Sequence, residues 1–281
     1  MQNAFTIDVE DWYQSMDFDI EVKKWGKYED RIERNIDVLL EILSSNNVKA
    51  TFFVLGYIAK FHPEMVRKIQ KEGHEIGSHG YSHRLVYKQT KSLFREDIKK
   101  AKQIVEDITG NEVNLFRASC WSISKKTLWA LNILEEEGFI CDSSIQPFKT
   151  KLSGISGAPN FPYHPIVEGK KLDILEYPPM ALNFCGIMMP FAGGLYLRCS
   201  PKSLLKFSLN RINRKIPGVI YTHPWELDLD QPRLSVLPIT KFMHYYKINT
   251  TRGKIEYLLK EFDFTTLGSI IKGKDYPYSK I

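Results

Sequence analysis

The feature that most constrains the fold is a regular alternation between short apolar runs and longer segments with helical spacing. The apolar runs lie at 4–7, 50–56, 74–78, 113–116, 139–141 and 218–222. Apolar residues recur at three- and four-residue intervals within 31–45, just after Pro63, from Leu93 to Gly110 and within 124–137. Strands that alternate with helices at this interval predict a parallel α/β fold.

The segment from 143 to 200 departs from this alternation. It is rich in proline and glycine and contains short pieces such as KLDILEY (171–177) and GLYLR (194–198). We interpret it as an insertion of loops and strands that borders the substrate, within a single domain that spans residues 1–281.

Charge and hydropathy limit the partners. The net charge is +6, but lysines and arginines are mixed with acids along the chain, so nucleic acid is not expected. A mildly basic surface suits an anionic small molecule or an anionic membrane face. No stretch resembles a signal peptide or a transmembrane helix, and the four cysteines are scattered. These features predict a cytoplasmic protein with, at most, peripheral membrane contact.

Several apolar runs are followed directly by a residue that can bind a metal or carry a charge. These residues are Asp8, Glu10, Asp11, His79, His83, Arg117, Asp142 and His223. The ends of parallel strands meet at one face of a sheet, where loops build the active site. Two imidazoles and a carboxylate can hold a metal and leave positions open for water and substrate. A second carboxylate and a further histidine would supply base and acid, so the set predicts hydrolysis of an amide or ester.

At these positions the chain resembles the NodB-homology polysaccharide deacetylases, carbohydrate esterase family 4, and within them the branch associated with exopolysaccharide and O-antigen synthesis. The corresponding stretches are FTIDVEDWY (5–13), SHGYSH (78–83), FRAS (116–119), GFICDSSIQP (138–147), GGLYLR (193–198) and HPWELDLDQPR (223–233). The resemblance implies a distorted (β/α) barrel with about seven parallel strands. It also implies one divalent metal, with zinc as the first candidate and iron, cobalt or nickel as alternatives.

The resemblance also implies roles for individual residues. Asp8 would be the general base and Arg117 would hold its carboxylate in place. His223 would be the general acid, with Asp142 steadying its imidazolium. His79 and His83 would be metal ligands.

The third metal ligand departs from the family pattern, in which the base and the ligand are adjacent aspartates. Side chains alternate between faces along a strand, so Glu10 points the same way as Asp8 while Val9 points back. Glu10 is therefore the expected third ligand, and Asp11 takes its place if the strand ends early.

Four aromatic residues are candidates for substrate contacts. Trp12, Trp121 and Trp225 each follow a strand and could stack on a sugar or could simply cover the barrel. Tyr81, or a backbone N–H near it, could stabilise the oxyanion.

The resulting hypothesis is a metal-dependent deacetylase that removes acetate from an N-acetylated sugar in surface polysaccharide biosynthesis. The sugar could be nucleotide-linked, lipid-linked or part of an oligosaccharide. Two alternatives stay open: hydrolysis of a cyclic amide or ureide, and a non-catalytic protein that binds glycans.

Overall fold

The computed structural model describes residues 1–150, 152–184 and 186–281. Its strands are β1 (Asn3–Val9), β2 (Thr51–Val54), β3 (Glu75–Ser78), β4 (Leu115–Phe116), β5 (Cys141–Asp142), β6 (His164–Val167), β7 (Lys170–Lys171), β8 (Leu175–Glu176), β9 (Ala181–Phe184), β10 (Ile187–Pro190), β11 (Val219–Thr222), β12 (Phe264–Thr265) and β13 (Tyr278–Lys280). Its helices are α1 (Ile32–Ser45), α2 (Gly56–Phe61), α3 (Pro63–Lys71), α4 (Lys91–Thr109), α5 (Trp129–Glu136), α6 (Gly194–Cys199), α7 (Lys202–Ile212), α8 (Pro238–Tyr245), α9 (Thr251–Glu261) and α10 (Leu267–Ile271).

Seven parallel strands form the central sheet, in the order β11-β1-β2-β3-β4-β5-β8, and β12 pairs with the start of β1. The strands curve into an open barrel. The predicted fold class, a distorted barrel of about seven parallel strands, is confirmed.

Strand β1 shows how the sequence builds this barrel. All seven of its residues are buried, so the strand lies between two packed layers. Phe5, Ile7 and Val9 belong to the main hydrophobic cluster. The alternate residues Thr6 and Asp8 point the other way, where Arg117 donates hydrogen bonds to both. The two-residue period of the strand thus separates core from site.

The helices follow their sequence signals. In α1 the apolar stripe of Ile32, Ile36 and Leu39 is buried. Pro63 is the first residue of α3, where its missing N–H costs nothing. The hydroxyl of Thr90 accepts from the N–H of Leu93 and begins α4, and left-handed Gly110 (φ 66°) ends it.

Strands β8 and β11 are the two edges of the barrel. The described residues show no hydrogen-bonded ladder between these strands, and side chains make the contacts instead. The hydroxyl of Tyr177, just after β8, donates to the carbonyl of Pro217, 2.9 Å away. Gly218 allows close approach here, because a Cβ at this position would lie 1.9 Å from the sulfur of Met180.

The segment 143–200 is only partly an insertion. Leu175–Glu176 is strand β8 of the barrel and pairs with β5, so the prediction is wrong for these two residues. The period of two was visible in KLDILEY, but a two-residue strand carries too little pattern to reveal its partner. The rest forms the β9–β10 hairpin and, with β13, a small sheet of order β13-β6-β7.

Within the described part of the chain, no helix has the length and apolar character needed to cross a membrane. Of the scattered cysteines, Cys141 is buried and Cys199 is exposed, and Cys185 lies outside the described residues.

Candidate metal centre and active site

Six of the predicted site residues meet at the carboxyl ends of the strands. Asp8 is the last residue but one of β1 and Glu10 follows this strand. His79 follows β3, Arg117 follows β4 and His223 follows β11, while His83 comes from the loop after His79. All six side chains are nearly buried, and that of His223 is the most accessible at 12 %. The barrel therefore places them around one interior space, as its parallel topology requires.

Glu10, His79 and His83 form a candidate metal-binding triad. Each offers a ligand atom, and these atoms all lie within 4.8 Å of one another. Nδ1 of His79 lies 2.7 Å from the carbonyl oxygen of Arg117, so it carries the proton and leaves Nε2 free as a ligand. His83 has a left-handed backbone (φ 50°), a conformation that is uncommon outside glycine and clusters at functional sites.

The charges and unsatisfied atoms of this triad fit a divalent cation. Oε2 of Glu10 and both ring nitrogens of His83 are buried without a hydrogen-bond partner among the described residues. Burial raises the pKa of Glu10 to about 8 and lowers the pKa of His79 to about 4. A buried carboxylate and two imidazoles that stay neutral are groups that a metal stabilises.

Asp11 does not join this triad. Its Oδ1 accepts from the N–H of Trp12 at 2.7 Å and its Oδ2 from the N–H of Arg31 at 2.6 Å. Asp11 therefore caps the short turn Trp12–Gln14 and ties it to the start of α1. Of the two alternatives for the third ligand, the structure places Glu10 with the histidines.

Asp8 is paired with Arg117. Nη1 of Arg117 lies 2.7 Å from Oδ1 of Asp8, and Nη2 donates to the hydroxyl of Ser143 at 3.1 Å. Burial alone would oppose ionisation of Asp8. The charge and hydrogen bond of Arg117, together with the charge of His223, outweigh it and lower the pKa of Asp8 below its ordinary value. Asp8 is therefore an ionised carboxylate at neutral pH.

His223 faces both carboxylates of β1. Its Nε2 lies 3.2 Å from Oε1 of Glu10 and 4.0 Å from Oδ2 of Asp8. Burial opposes its charged form, but Glu10 and Glu226 outweigh burial and raise the pKa of His223 to about 9. The other ring nitrogen, Nδ1, lies 2.7 Å from Oε1 of Glu226.

The prediction that Asp142 steadies His223 is wrong, because Glu226 holds that place. Glu226 also accepts from the backbone N–H of His223, in a capping box around the turn Pro224–Leu227. The signal was present in the sequence, since HPWE puts an acid three residues after His223. The resemblance implies Asp142 as the partner of His223 and takes no account of this spacing.

Asp142 instead forms a buried pair with Glu176 and accepts a hydrogen bond from the hydroxyl of Ser144. Burial raises the pKa of Asp142 to about 6 and that of Glu176 further, so the pair retains a proton at neutral pH. Glu176 also accepts from the N–H groups of Ser144 and Ile145. The pair thus fixes the loop after β5, which contacts Arg117.

Arg198 contacts Glu226 and is also absent from the site residues that the sequence predicts. Its Nε lies 3.1 Å from Oε2 of Glu226, and both residues are buried. Its Nη atoms donate to the carbonyls of Met243, His244 and Tyr246. Arg198 lies in α6, which begins at the glycine pair of GGLYLR. A Cβ on Gly193 would lie 2.3 Å from the carbonyl oxygen of Tyr221, so this pair lets α6 approach β11.

Two of the three tryptophans are not placed to stack on a sugar, and Tyr81, the candidate for the oxyanion, donates its backbone N–H to Oδ2 of Asp97 at 2.7 Å. Trp12 is buried and donates from Nε1 to the carbonyl of Glu29. Trp225 is buried between the rings of His223 and His244, at 5.3 and 4.1 Å. The ring of Tyr81 is covered by Lys100 of α4, whose ammonium lies 3.5 Å from its centroid. These side chains pack the barrel.

Trp121 is the remaining candidate. Its ring lies 4.3 Å from Tyr221 and 5.6 Å from the guanidinium of Arg117. Its buried Nε1 has no hydrogen-bond partner among the described residues. Cys120 and Trp121 both have left-handed backbones (φ 52° and 50°), a strain of the kind found at binding sites.

A cavity of about 480 Å³ opens beside His83. Residues 14–25 form one wall, with Met16 and Trp25 among them, and residues 82–88 form the other, with Arg84. Its lining is mixed, partly apolar and partly charged, and includes one residue of the metal-binding triad, His83.

One known family model matches most of the first half of the chain. Residues 25–137 match the family model described as polysaccharide deacetylase. Over these residues the chain is similar to the polysaccharide deacetylases. Residues 143–272 match a second model, described as a domain of unknown function (DUF3473). His79, His83 and Arg117 lie in the first match, Glu226 and His223 in the second, and β1 precedes both.

Curated relatives of the deacetylase domain resemble this chain over a limited stretch. A peptidoglycan-N-acetylglucosamine deacetylase from Bacillus cereus is 38 % identical over 93 residues, which are 33 % of this chain and 34 % of that protein. A peptidoglycan-N-acetylmuramic acid deacetylase from Bacillus subtilis is 31 % identical over 78 residues, 28 % of this chain and 30 % of that protein. The chain covers about a third of the length of these relatives.

Two solved structures from this group of proteins superpose on nearly the whole of this chain. A Mycobacterium smegmatis protein assigned to the polysaccharide deacetylases superposes with a TM-score of 0.61 and 20 % identity, covering 94 % of this chain and 85 % of that one. A carbohydrate esterase family 4 pseudoenzyme from Bacillus anthracis superposes with a TM-score of 0.50 and 16 % identity, covering 100 % and 69 %. These likenesses establish the fold, which an inactive relative shares.

Proposed function

We propose that this chain is a metal-dependent N-deacetylase that releases acetate from an N-acetylated sugar. The observation that carries the proposal is the convergence of three units on one buried space: the triad of Glu10, His79 and His83, the pair of Asp8 and Arg117, and His223 with its partner Glu226. The relatives named as peptidoglycan deacetylases support the reaction type.

Glu10, His79 and His83 would hold the metal. Two imidazoles and one carboxylate suit zinc, and iron, cobalt or nickel accept the same ligands. A bound divalent metal supplies Lewis acidity, which polarises a carbonyl and lowers the pKa of water.

The other residues handle protons. Asp8, which Arg117 keeps ionised and oriented, accepts a proton from the attacking water. His223 donates a proton from Nε2 to the departing amine, and Glu226 holds its Nδ1 in place. One water is consumed, and the products are acetate and an amino sugar.

The substrate would enter through the cavity beside His83, which is large enough for about one sugar unit. We assign Trp121, whose buried indole N–H has no hydrogen-bond partner among the described residues, as the aromatic contact of this substrate. A nucleotide-linked, lipid-linked or oligosaccharide carrier, a role in surface polysaccharide biosynthesis and a cytoplasmic location remain predictions from the sequence.

We further propose that residues 1–281 act as one domain. His79 and His83 of the first family match and His223 of the second all lie beside Glu10, so the two matches contribute to the same site.

Metal content and acetate release test the proposal together. Wild-type protein should contain about one metal per chain and release acetate from an N-acetylated sugar donor. His79→Ala should lose both, whereas His164→Ala, on the peripheral strand β6, should lose neither. Because one similar structure is a pseudoenzyme, a non-catalytic glycan-binding role is the second candidate.

The outcomes separate these candidates. Metal without acetate from any sugar would favour hydrolysis of a cyclic amide or ureide instead. A wild-type protein that takes up no metal after reconstitution would leave the glycan-binding role.

A further inference from the structure

The chain after His223 exposes an unusual number of apolar side chains. We call residues 229–247, which include α8, the α8 segment. Its exposed apolar residues are Leu229, Leu237, Ile239, Phe242, Met243 and Tyr246, each between 40 % and 70 % accessible. Within α8 itself only His244 is buried. A contiguous apolar surface of this kind marks an interaction site on a soluble domain.

The same segment carries cations without partners. In the described part of the chain, no carboxylate lies within 4.0 Å of Arg233, Lys241 or Lys247. Asp230, the one acid of the segment, faces Arg34 at 3.5 Å. Arg233 lies over the ring of Tyr245 and Lys247 over that of Tyr246. The positive charge of this surface is therefore available to an outside anion.

A cavity of about 500 Å³ brings the two features together. Arg233 and Lys241 line it beside the aromatic rings of Phe242, Tyr245 and Tyr246, and no carboxylate contributes to its wall. Cations beside aromatic rings and exposed aliphatic side chains can bind a molecule that joins an anionic head group to an apolar group.

The α8 segment is rigidly tied to the wall of the candidate active site. The ring of His244 stacks on Trp225, which stacks on His223. Three carbonyls of the segment accept hydrogen bonds from Arg198, which also pairs with Glu226. Whatever binds the segment is therefore held next to the site.

We propose that the α8 segment docks on the surface of an anionic lipid bilayer. Its aliphatic side chains enter the interface, and Arg233, Lys241 and Lys247 contact lipid phosphates. Self-association is disfavoured by charge: a two-fold contact would place this basic surface against itself. Docking goes beyond the proposed deacetylase reaction and does not depend on it.

Vesicle co-sedimentation tests the docking surface. The holoprotein should bind phosphatidylcholine vesicles that contain phosphatidylglycerol, bind pure phosphatidylcholine more weakly, and dissociate as salt is added. Lys241→Ala should weaken binding about fivefold, the factor expected for one basic residue near an anionic surface. Phe242→Ser should weaken it as well. The matched controls Lys272→Ala and Phe207→Ser, exposed residues outside the segment, should bind like wild type.

Four outcomes would overturn the proposal. They are no binding to anionic vesicles, equal binding to both vesicle types, loss of binding in the controls, and full displacement by inorganic phosphate at an ionic strength at which sodium chloride leaves the protein bound, which would indicate a site for a soluble anion. A concentration-dependent dimer by sedimentation, abolished by Phe242→Ser, would replace docking by self-association. Acetate release from a soluble donor should stay unchanged in all four variants, so failure of docking and failure of the deacetylase proposal are distinguishable.

Discussion

The contact between His223 and Glu226 gives the most informative mutation. Glu226 is fully buried, and although burial opposes its charge, His223 and Arg198 lower its pKa below the ordinary value. Glu226→Gln keeps the size of this side chain and removes its charge. A neutral glutamine no longer stabilises the positive charge of the His223 ring, and its NH₂ group can donate to Nδ1, so the doubly protonated ring that acts as the acid is disfavoured.

The size of the effect follows from the 2.7 Å contact between Nδ1 and Oε1. A hydrogen bond to a charged group contributes about 1.5–3 kcal/mol. If that contribution is lost in the transition state, kcat falls roughly 10- to 150-fold. KM should change little, because Glu226 is buried behind His223 and does not line the cavity. Arg198 loses its charged partner, which should reduce the free energy of unfolding by about 3 kcal/mol.

Acetate release at several donor concentrations measures kcat and KM separately, and urea unfolding at the same pH measures the folded fraction. Asp142→Asn is the matched comparison. It preserves an acceptor for Ser144, and Asp142 shares its proton with Glu176, so kcat should stay close to wild type. The reasoning is refuted if folded Glu226→Gln retains wild-type kcat, or if Asp142→Asn loses as much kcat.

Three further predictions concern metal binding, the base and acid stability. Glu10→Gln should lose the metal. Asp11→Asn should keep the metal but lose about 1 kcal/mol of unfolding free energy, because it weakens the cap that Asp11 provides. Metal analysis and urea unfolding measure both effects, and the reverse pattern would contradict Glu10 as a ligand. Arg117→Lys should lower kcat roughly thirtyfold, because one ammonium cannot replace the guanidinium that bridges β1 and the loop after β5; a fully active, folded variant would contradict this. Burial lowers the pKa of His74 from 6.5 to about 4, so its contribution to stability is complete above pH 6.5 and is lost as pH falls toward 4. Between pH 7 and pH 5 this loss is about 2 kcal/mol. His74→Gln should therefore lose about 2 kcal/mol less unfolding free energy than wild type over that interval, as measured by urea unfolding at both pH values. The same acid dependence in His74→Gln and wild type would contradict this prediction.

Periodicity made the larger elements predictable. The apolar stripe of α1 and the Thr90 and Gly110 signals of α4 are local, because a helix bonds residues that are four apart. Strand β1 likewise carries seven residues of pattern. Strand β8 has two, and its place in the barrel depends on a partner, β5, that lies more than thirty residues earlier.

The candidate site divides in the same way. The sequence by itself determined that charged residues follow the strands and that Glu10 lies on the same face as Asp8, since alternation along a strand is a local property. Only the tertiary structure decided which acid reaches which histidine. Asp142 and Glu226 both follow strands, but Asp142 pairs with Glu176 and Glu226 meets His223. The approach of α6, which brings Arg198 to Glu226, depends on contacts between residues far apart in the chain, and no local pattern encodes it.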